Sequence, residues 1–382
     1  MADAAFVLEQ ARVVLADRVI DGWVAVADGL VAEVGEGSPP ERGLDCDGDY
    51  LLPGLIELHT DHLEPHAMPR PGVHWDAHAA VLAYDRQIIG SGITTVFDSL
   101  RVGATTDSDA TAQKFGTLAA AIEDLRRLDL LCADHLTHLR CEVATPDVVS
   151  GATAFLAGRT VHLMSLMDHT PGQRQFRDLD KMRQYYGRHG GLGDDSAFAL
   201  FLEQRRAMHA EYAERQRRGL VALARSRGVT LASHDDATLD HVAEACADGV
   251  AIAEFPTTAE AAAASHAVGI KVLMGAPNLV RGGSHSGNVG AAELAAAGTL
   301  DILSSDYVPS SLLMAAFDLP RRVPGRRLAD AVRLVSRSPA EATGLVDRGE
   351  IAAGKRADLI QVRARDHVPA VRKVWRRGTR VA

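Results

Sequence analysis

The sequence predicts an α/β fold: a distorted (β/α)8 TIM-type barrel with a small β domain built from both chain ends. Three observations support this prediction. Short apolar segments alternate with longer helical patterns from Leu55 onward, polar residues repeatedly fall where those segments end, and a β-prone texture occupies both ends of the chain. A doubly wound sheet would show a glycine-rich phosphate turn after its first strand, and none is present there.

Length and composition limit the class of protein. The 382 residues suffice for a barrel of roughly 250 residues with a smaller domain. A net charge of −9 favours neither nucleic acid nor an anionic membrane as a partner, so an anionic small-molecule substrate would need a local basic pocket. The N-terminus lacks a basic leader, and no run approaches the roughly 18 apolar residues of a membrane span. Four cysteines without CxxC spacing fit a reducing cytoplasm.

Both ends of the chain are predicted to form one small β-sandwich domain. Residues 1–52 alternate β-prone runs such as GWVAVADG with glycine and aspartate turn signals, and the same texture returns near Gly349. The predicted boundaries are therefore 1–52 and 346–382 for this domain and 53–345 for the barrel.

Eight segments are predicted to be the barrel strands. They are the opening strand from Leu55 and then residues 92–98, 130–142, 161–169, 229–235, 250–254, 270–275 and 300–306. The stretch at about 171–228 is longer than a crossover needs and carries a charged helical run, so it is predicted to be a helical insertion at the carboxyl face. Two interpretations stay open: a solvated helical hairpin, or a lid over the site.

The stretch LLPGLIELHTDHLEPH carries the densest set of potential metal ligands. Five of them fall within eight residues: His59, Asp61, His62, Glu64 and His66. Because strand side chains alternate, Glu57, His59 and Asp61 are predicted to face the interior of the barrel. Ile56 and Leu58 are predicted to face outward. Imidazole and carboxylate on one face at a strand end favour a divalent metal over histidines that only donate hydrogen bonds.

Further candidate ligands end other strands. They are His138 and Glu142, then Asp168 and His169, then His234 with Asp235 and Asp236, then Glu254, and finally Asp306. Imidazole and carboxylate without thiolate select a hard or borderline cation, here zinc with manganese or iron as alternatives. Such an ion would generate hydroxide from bound water, and Asp306 is the predicted proton shuttle.

A glycine-rich, basic loop after the seventh strand is a candidate anion site. Its predicted substrate-binding residues are Asn278, Arg281, Gly283, Ser284 and His285. Barrels frequently bind phosphate after strands seven and eight, although a flexible loop would show the same glycines. Arg70, Arg140 and Arg174 are expected to add positive charge at the carboxyl face.

These motifs resemble those of the amidohydrolase superfamily. The broad resemblance lies in PGLIELHTD and GEIAAGKRADLI. A narrower resemblance, through HTDHLEPH, GITTVFDS, SLMDHTPGQRQF, ASHDDAT and LMGAPNLVRGGSHSGNV, is to the PhnM family of the carbon–phosphorus lyase pathway. It implies hydrolysis of α-D-ribose 1-methylphosphonate 5-triphosphate to the 5-phosphate and diphosphate.

The resemblance also implies a ligand set for one or two ions: His59, Asp61, Glu142 as a bridging ligand, His169, His234 and Asp306. Two departures stand out, because the first strand reads His-x-Asp rather than His-x-His and Glu254 takes a position where a histidine is common. Glu57, His62 and Glu254 are expected to contact the ligands rather than the ion.

Two other functions remain open at this stage. One is an amidohydrolase acting on a cyclic amide or N-acyl substrate with the same metal site, and the other is a scaffold subunit of the lyase complex without chemistry. A cluster of phosphate-binding groups would favour the diphosphatase, since an amidase needs none. The sequence leaves a homo-oligomer open.

Overall fold

The computed structural model describes residues 5–103, 110–174, 195–284 and 287–382. The chain begins with five strands: β1 (Phe6–Val14), β2 (Val19–Ala27), β3 (Leu30–Glu36), β4 (Leu44–Asp45) and β5 (Tyr50–Pro53). Eight strands then form a second sheet: β6 (Leu55–Thr60), β7 (Ile93–Val102), β8 (Asp134–Glu142), β9 (Leu163–Met167), β10 (Thr230–His234), β11 (Ile252–Glu254), β12 (Lys271–Gly275) and β13 (Ile302–Ser304). The chain ends with β14 (Leu359–Arg365), β15 (Val368–Arg376) and β16 (Thr379–Arg380).

The two chain ends pair into one sheet, as the sequence predicts. Its strand order is β16-β15-β14-β5-β1-β2-β3, with β4 beside β1. The two ends meet where β14 runs antiparallel to β5, with Leu359 opposite Pro53. Leu8, Val24 and Trp375 lie in the apolar core of this sheet. The domain boundaries at 52/53 and 345/346 stay a prediction.

The second sheet is the predicted barrel. Strands β6 to β13 pair in chain order and are all parallel. The first and last strands approach each other through a bridge between Thr60 and Asp306, and the Asp61 N–H donates to the Asp306 carbonyl at 3.0 Å. The barrel is therefore nearly closed, and all eight predicted strands are confirmed.

Helices connect the strands and cover the outside of the barrel. They are α1 (Leu63–Ala67), α2 (Ala77–Gly90), α3 (Ala110–Arg127), α4 (Val148–Leu156), α5 (Asp195–Arg227), α6 (Leu239–Asp248), α7 (Ala259–Ala267), α8 (Ala276–Arg281), α9 (Ala291–Ala297), α10 (Ser311–Arg322), α11 (Leu328–Arg333) and α12 (Arg337–Ala342). Within the described ranges, no helix is long and apolar enough to cross a membrane. Helix α5 forms most of the described part of the predicted insertion; residues 175–194 lie outside the described residues, and the 171–228 limits stay a prediction.

An apolar layer fills the barrel below the carboxyl ends of its strands. Its buried members are Ile56, Leu58, Phe97, Leu163, Ala232, Ile252, Leu273, Ile302 and, from α12, Ala340. Residues of the opposite strand face, such as Val96, Leu166 and Leu231, pack under the helices instead. The polar residues that follow on the inner face therefore lie directly above a buried apolar layer.

The predicted orientation of the first strand is wrong for Ile56 and Leu58, which face the interior. The pairing of β6 with β7 is also irregular beyond Ile56, since Glu57 lies opposite Val96 but Thr60 lies opposite Asp98. Three steps on β6 therefore match two on β7, as in a β-bulge, which changes the direction of the side chains that follow. Leu58 belongs to the apolar layer, and the next side chain, His59, also points into the barrel, where it lies beside Glu254.

Gly54 joins the small sheet to the barrel, and replacing it with alanine is predicted to destabilise the fold. A Cβ at Gly54 would lie 2.1 Å from Oγ1 and 2.9 Å from Cβ of the buried Thr94. Overpacking of this kind typically costs about 1–3 kcal/mol. We expect Gly54→Ala to lower the free energy of unfolding by that amount in urea titrations.

Gly90→Ala is the matched control, because a Cβ at this helical glycine would meet no atom within 4 Å. We expect it to leave the urea midpoint unchanged or slightly higher. Equal unfolding free energies for Gly54→Ala and the wild type would contradict the close contact with Thr94.

Candidate metal centre

Polar side chains from four other strands meet around Glu254, the fully buried last residue of β11. Its Oε1 lies 3.0 Å from Nδ1 of His59, and its Oε2 lies 3.1 Å from Nδ1 of His234. Ser165 donates its hydroxyl to Oε2 at 2.7 Å, and Nε2 of His138 lies 3.8 Å from Oε1. One carboxylate therefore faces three imidazoles in the interior of the barrel.

Burial keeps two of these imidazoles uncharged. It lowers the pKa of His138 to about 4, against the opposing effect of Glu254. It also lowers the pKa of His234 well below the usual range, again with Glu254 opposing. At neutral pH neither imidazole offsets the negative charge of the Glu254 carboxylate.

Three buried polar atoms at this centre have no hydrogen-bond partner among the described residues: His59 Nδ1, Glu254 Oε1 and Asp235 Oδ2. The first two lie 3.0 Å apart, but their relative orientation is not that of a hydrogen bond. Adjacent ligands of a tetrahedral ion with bonds of about 2.0 Å are separated by roughly 3.3 Å. The unpartnered atoms and the imidazole–carboxylate donor set fit a divalent metal ion.

Two overlapping groups of residues could hold such an ion, with ligand atoms within 4.8 Å of one another: His59 with His234 and Glu254, and His169 with His234 and Asp235. A neutral imidazole has one free lone pair, so His234 ligates through one nitrogen only.

The hydrogen bonds favour the second group. Nδ1 of His169 lies 2.6 Å from the Glu142 carboxylate and Nδ1 of His234 lies 3.1 Å from Glu254, which leaves both Nε2 atoms for an ion beside Asp235. Carboxylates that orient ligating histidines in this way are usual around metals.

Left-handed backbone at the strand ends directs the chain around the centre. Asp235, Phe255 and Asp306 have φ of 57°, 54° and 55°. Non-glycine residues in this region cost of order 1–3 kcal/mol each and cluster at functional sites. Burial also raises the pKa of Asp235 to about 7, although His169 and Arg174 oppose the shift.

Asp61 and Arg140, predicted as a metal ligand and a substrate-binding residue, are paired with each other in the structure. Nη1 of Arg140 contacts Oδ1 of Asp61, and the Arg140 side chain is buried. Asp61 belongs to neither candidate ligand group. In this arrangement Asp61 offsets the charge of Arg140.

Glu142, the predicted bridging ligand, contacts and orients His169. It accepts from the backbone N–H of His169 at 3.1 Å as well as facing its ring. Burial would raise the pKa of Glu142, but His169 and Arg205 lower it overall. The carboxylate is therefore held ionised at the edge of the second ligand group.

Asp306 and Glu57 lie at the junction of the first and eighth strands. Burial raises the pKa of Asp306, and His59 and Arg140 oppose that shift. Glu57 accepts hydrogen bonds from the His59 N–H at 2.7 Å and the Ser304 hydroxyl at 2.6 Å. Glu57 thus fixes the backbone of His59, in keeping with its expected supporting role. His62 is half-buried at the start of α1, with its ring 5.2 Å from that of His66.

The loop after the seventh strand places its predicted substrate-binding residues differently. The Asn278 amide donates to the Val289 carbonyl at 3.3 Å and accepts from the Ala291 N–H at 2.9 Å, so it closes the loop. Arg281 ends α8 with an exposed side chain, and Gly283 and Ser284 are half-buried. His285 lies outside the described residues. Arg70 is exposed in the loop after α1.

Arg174, another predicted substrate-binding residue, is buried and engaged by protein acceptors. It donates to the His234 carbonyl at 3.3 Å and to the Glu244 carboxylate at 2.9 Å, and it also contacts Asp236. These contacts fix the end of the fifth strand, on which His234 stands.

Asp235 is among the candidate ligands at the strand ends, but the ligand set implied by the family resemblance does not include it. Its left-handed backbone brings it into the second ligand group. Arg205 was also omitted, because an arginine within a charged helix carries no local signal.

Comparisons with known proteins identify the family of this chain. Residues 199–381 match the family model described as Amidohydrolase family. The chain is 44% identical over 377 residues, 98% of its length and 100% of the relative's, to the alpha-D-ribose 1-methylphosphonate 5-triphosphate diphosphatase of Escherichia coli (strain K12).

Solved structures share the fold. Molinate hydrolase superposes with a TM-score of 0.66 at 12% identity, over 100% of this chain and 95% of that one. A crystal structure of an amidohydrolase superposes with a TM-score of 0.65 at 16% identity, over 99% of both chains. The amidohydrolase family is generally metal-dependent, and the described residues of this chain include two groups that could hold an ion. The chain belongs to the amidohydrolase family and, by its identity over nearly the whole length, to the PhnM branch of that family.

Proposed function

We propose that this chain hydrolyses α-D-ribose 1-methylphosphonate 5-triphosphate to α-D-ribose 1-methylphosphonate 5-phosphate and diphosphate. The observation that carries the proposal is the 44% identity that extends over 98% of the chain and the full length of the relative with that activity. The chain is thus proposed to be a hydrolase of phosphoanhydride bonds in phosphonate catabolism, acting in the cytoplasm in the same pathway as the carbon–phosphorus lyase complex. Its four cysteines are all free, which supports that location.

The candidate metal centre supports this chemistry. His169, His234 and Asp235 are proposed to hold a zinc ion, with manganese or iron as alternatives, and His59 with Glu254 offers a place for a second ion. A bound ion of this kind lowers the pKa of water to about 7 and polarises a phosphoryl oxygen. Glu142 and Glu254 hold the imidazoles of His169 and His234 in the tautomer that ligation needs.

Asp306 is the proposed proton carrier. Its carboxylate stands beside His59 and Arg140 at the mouth of the eighth strand, and burial raises its pKa toward the range where a carboxylate can both accept and return a proton. It would take the proton of the attacking water and deliver it to the leaving diphosphate oxygen. Arg281 and the Gly282–Ser284 turn are proposed to contact the triphosphate from the loop after the seventh strand.

Phosphorus NMR of the metal-loaded chain is the direct test of the proposed function. We expect the ribose triphosphate signals to be replaced by those of the 5-phosphate and diphosphate, because the αβ-anhydride is the bond cleaved. A panel of cyclic and N-acyl amides serves as the comparison. Turnover of an amide together with an unchanged triphosphate spectrum would replace the proposal by the amidohydrolase alternative.

Asp306→Asn keeps the size of the side chain but removes its ability to carry the proton. We expect turnover to fall by about 100-fold or more, the lower end of what acid–base catalysis contributes, while metal content stays unchanged. Steady-state kinetics and elemental analysis measure the two quantities.

Asp301→Asn is the matched control, because Asp301 precedes the same strand at its opposite end and accepts from the Val272 N–H at 3.0 Å. Its turnover should stay close to that of the wild type. Asp306→Asn with near-normal turnover would move the proton-transfer role to another residue.

A further inference from the structure

The long helix α5 brings basic side chains to the mouth of the barrel. His209 Nδ1 lies 2.8 Å from Oδ2 of Asp168, which directly follows β9. Further along the helix, Arg217 Nε lies 2.6 Å from Oδ2 of Asp248. Arg205, one turn before His209, lies 3.9 Å from the Glu142 carboxylate. The helix is therefore held against the ends of the third and fourth strands and against the end of α6.

Arg205 differs from three other buried arginines in the distance between its guanidinium and the nearest carboxylate. Arg140 contacts Asp61, Arg174 contacts Asp236, and Arg217 has a carboxylate oxygen at 2.6 Å. Each of these pairs brings a guanidinium into direct contact with a carboxylate.

The guanidinium of Arg205 has no comparably close carboxylate among the described residues. Its nearest one is Glu142 at 3.9 Å, which is already bound by His169 at 2.6 Å. Nη1 of Arg205 is buried without a hydrogen-bond partner in the described part of the chain, and the residue is only 5% exposed.

A buried guanidinium with an unsatisfied N–H is costly unless an anion meets it. The planar fork of arginine can bind two oxygens of one phosphate at once, which a lysine ammonium cannot do. Glu142 bonds to His169, and His169 belongs to the second candidate ligand group, so Arg205 borders the candidate metal centre.

We propose that Arg205 binds a phosphoryl group of the substrate beside His169. The identity of that substrate rests on the proposed function, whereas the need of this guanidinium for an oxyanion rests on its own burial and contacts. Helix α5 then has a part in substrate selection, because it supplies the cation that an uncharged amide substrate would leave unpaired.

Binding of inorganic pyrophosphate to the metal-loaded chain, measured by calorimetry, tests the proposal. We expect Arg205→Gln to weaken this binding at least about tenfold, as for the loss of a charged hydrogen bond. Arg205→Lys should restore part of the affinity, because the charge returns without the fork. With the ribose triphosphate, the loss should appear mainly as a higher KM rather than a lower kcat.

Arg218→Gln is the matched control on the same helix, because the Arg218 side chain is 73% exposed and pairs with Glu214 at 3.0 Å. It should bind pyrophosphate like the wild type. Metal content and thermal midpoint are measured for every variant, since a purely structural Arg205 would lower the midpoint without changing pyrophosphate affinity. If Arg205→Gln does not fold, the pyrophosphate affinity of Arg205→Lys is compared with that of the wild type instead.

Unchanged pyrophosphate affinity in a folded, metal-loaded Arg205 variant would overturn the proposal. A wild type that binds no pyrophosphate would overturn it as well, even if phosphorus NMR shows triphosphate hydrolysis. Conversely, selective loss of pyrophosphate binding in a chain that leaves the ribose triphosphate intact would support the phosphate site and reject only the proposed function.

Discussion

The negative charge of Glu254 inside the barrel is the constraint on which the rest of the centre depends. Imidazoles from three other strands and the Ser165 hydroxyl face this carboxylate, and burial keeps His138 and His234 uncharged. A buried charge that its neighbours do not offset costs several kcal/mol of stability. A bound cation would therefore stabilise the folded state as well as enable chemistry. Metal binding and barrel stability are therefore linked through one side chain.

Backbone irregularity is what assembles the ligands around that charge. The bulge in β6 lets two successive side chains point into the barrel: Leu58 packs in the apolar layer, and His59 lies beside Glu254. The left-handed residue Asp235 turns its carboxylate toward the His234 side of the site. Such conformations persist only on a rigid support, and the apolar layer beneath, which includes Ile252 two residues before Glu254, supplies it.

The strands of the barrel could be predicted from sequence because hydrophobic period and turn residues are local signals, and candidate ligands could be located because polar residues end those strands. Interstrand register and tertiary pairing are not local. The extra residue in β6 therefore could not be predicted from the alternation of side chains. The Asp61–Arg140 pair could not be predicted either, because it joins residues 79 positions apart. Arg205 reaches the centre from a helix whose charge pattern matches that of any solvated helix, so only its burial distinguishes it.

The central claim is that a cation bound through His234 offsets the charge of Glu254. Anomalous diffraction at the zinc absorption edge, from crystals of the wild-type chain grown with zinc, tests this claim most directly. The account predicts an ion about 2.0–2.2 Å from His234 Nε2, His169 and Asp235, with Glu254 still bonded to Nδ1 of His234. A fully occupied ion that does not contact His234, or an ordered centre without any cation near Glu254, would contradict it.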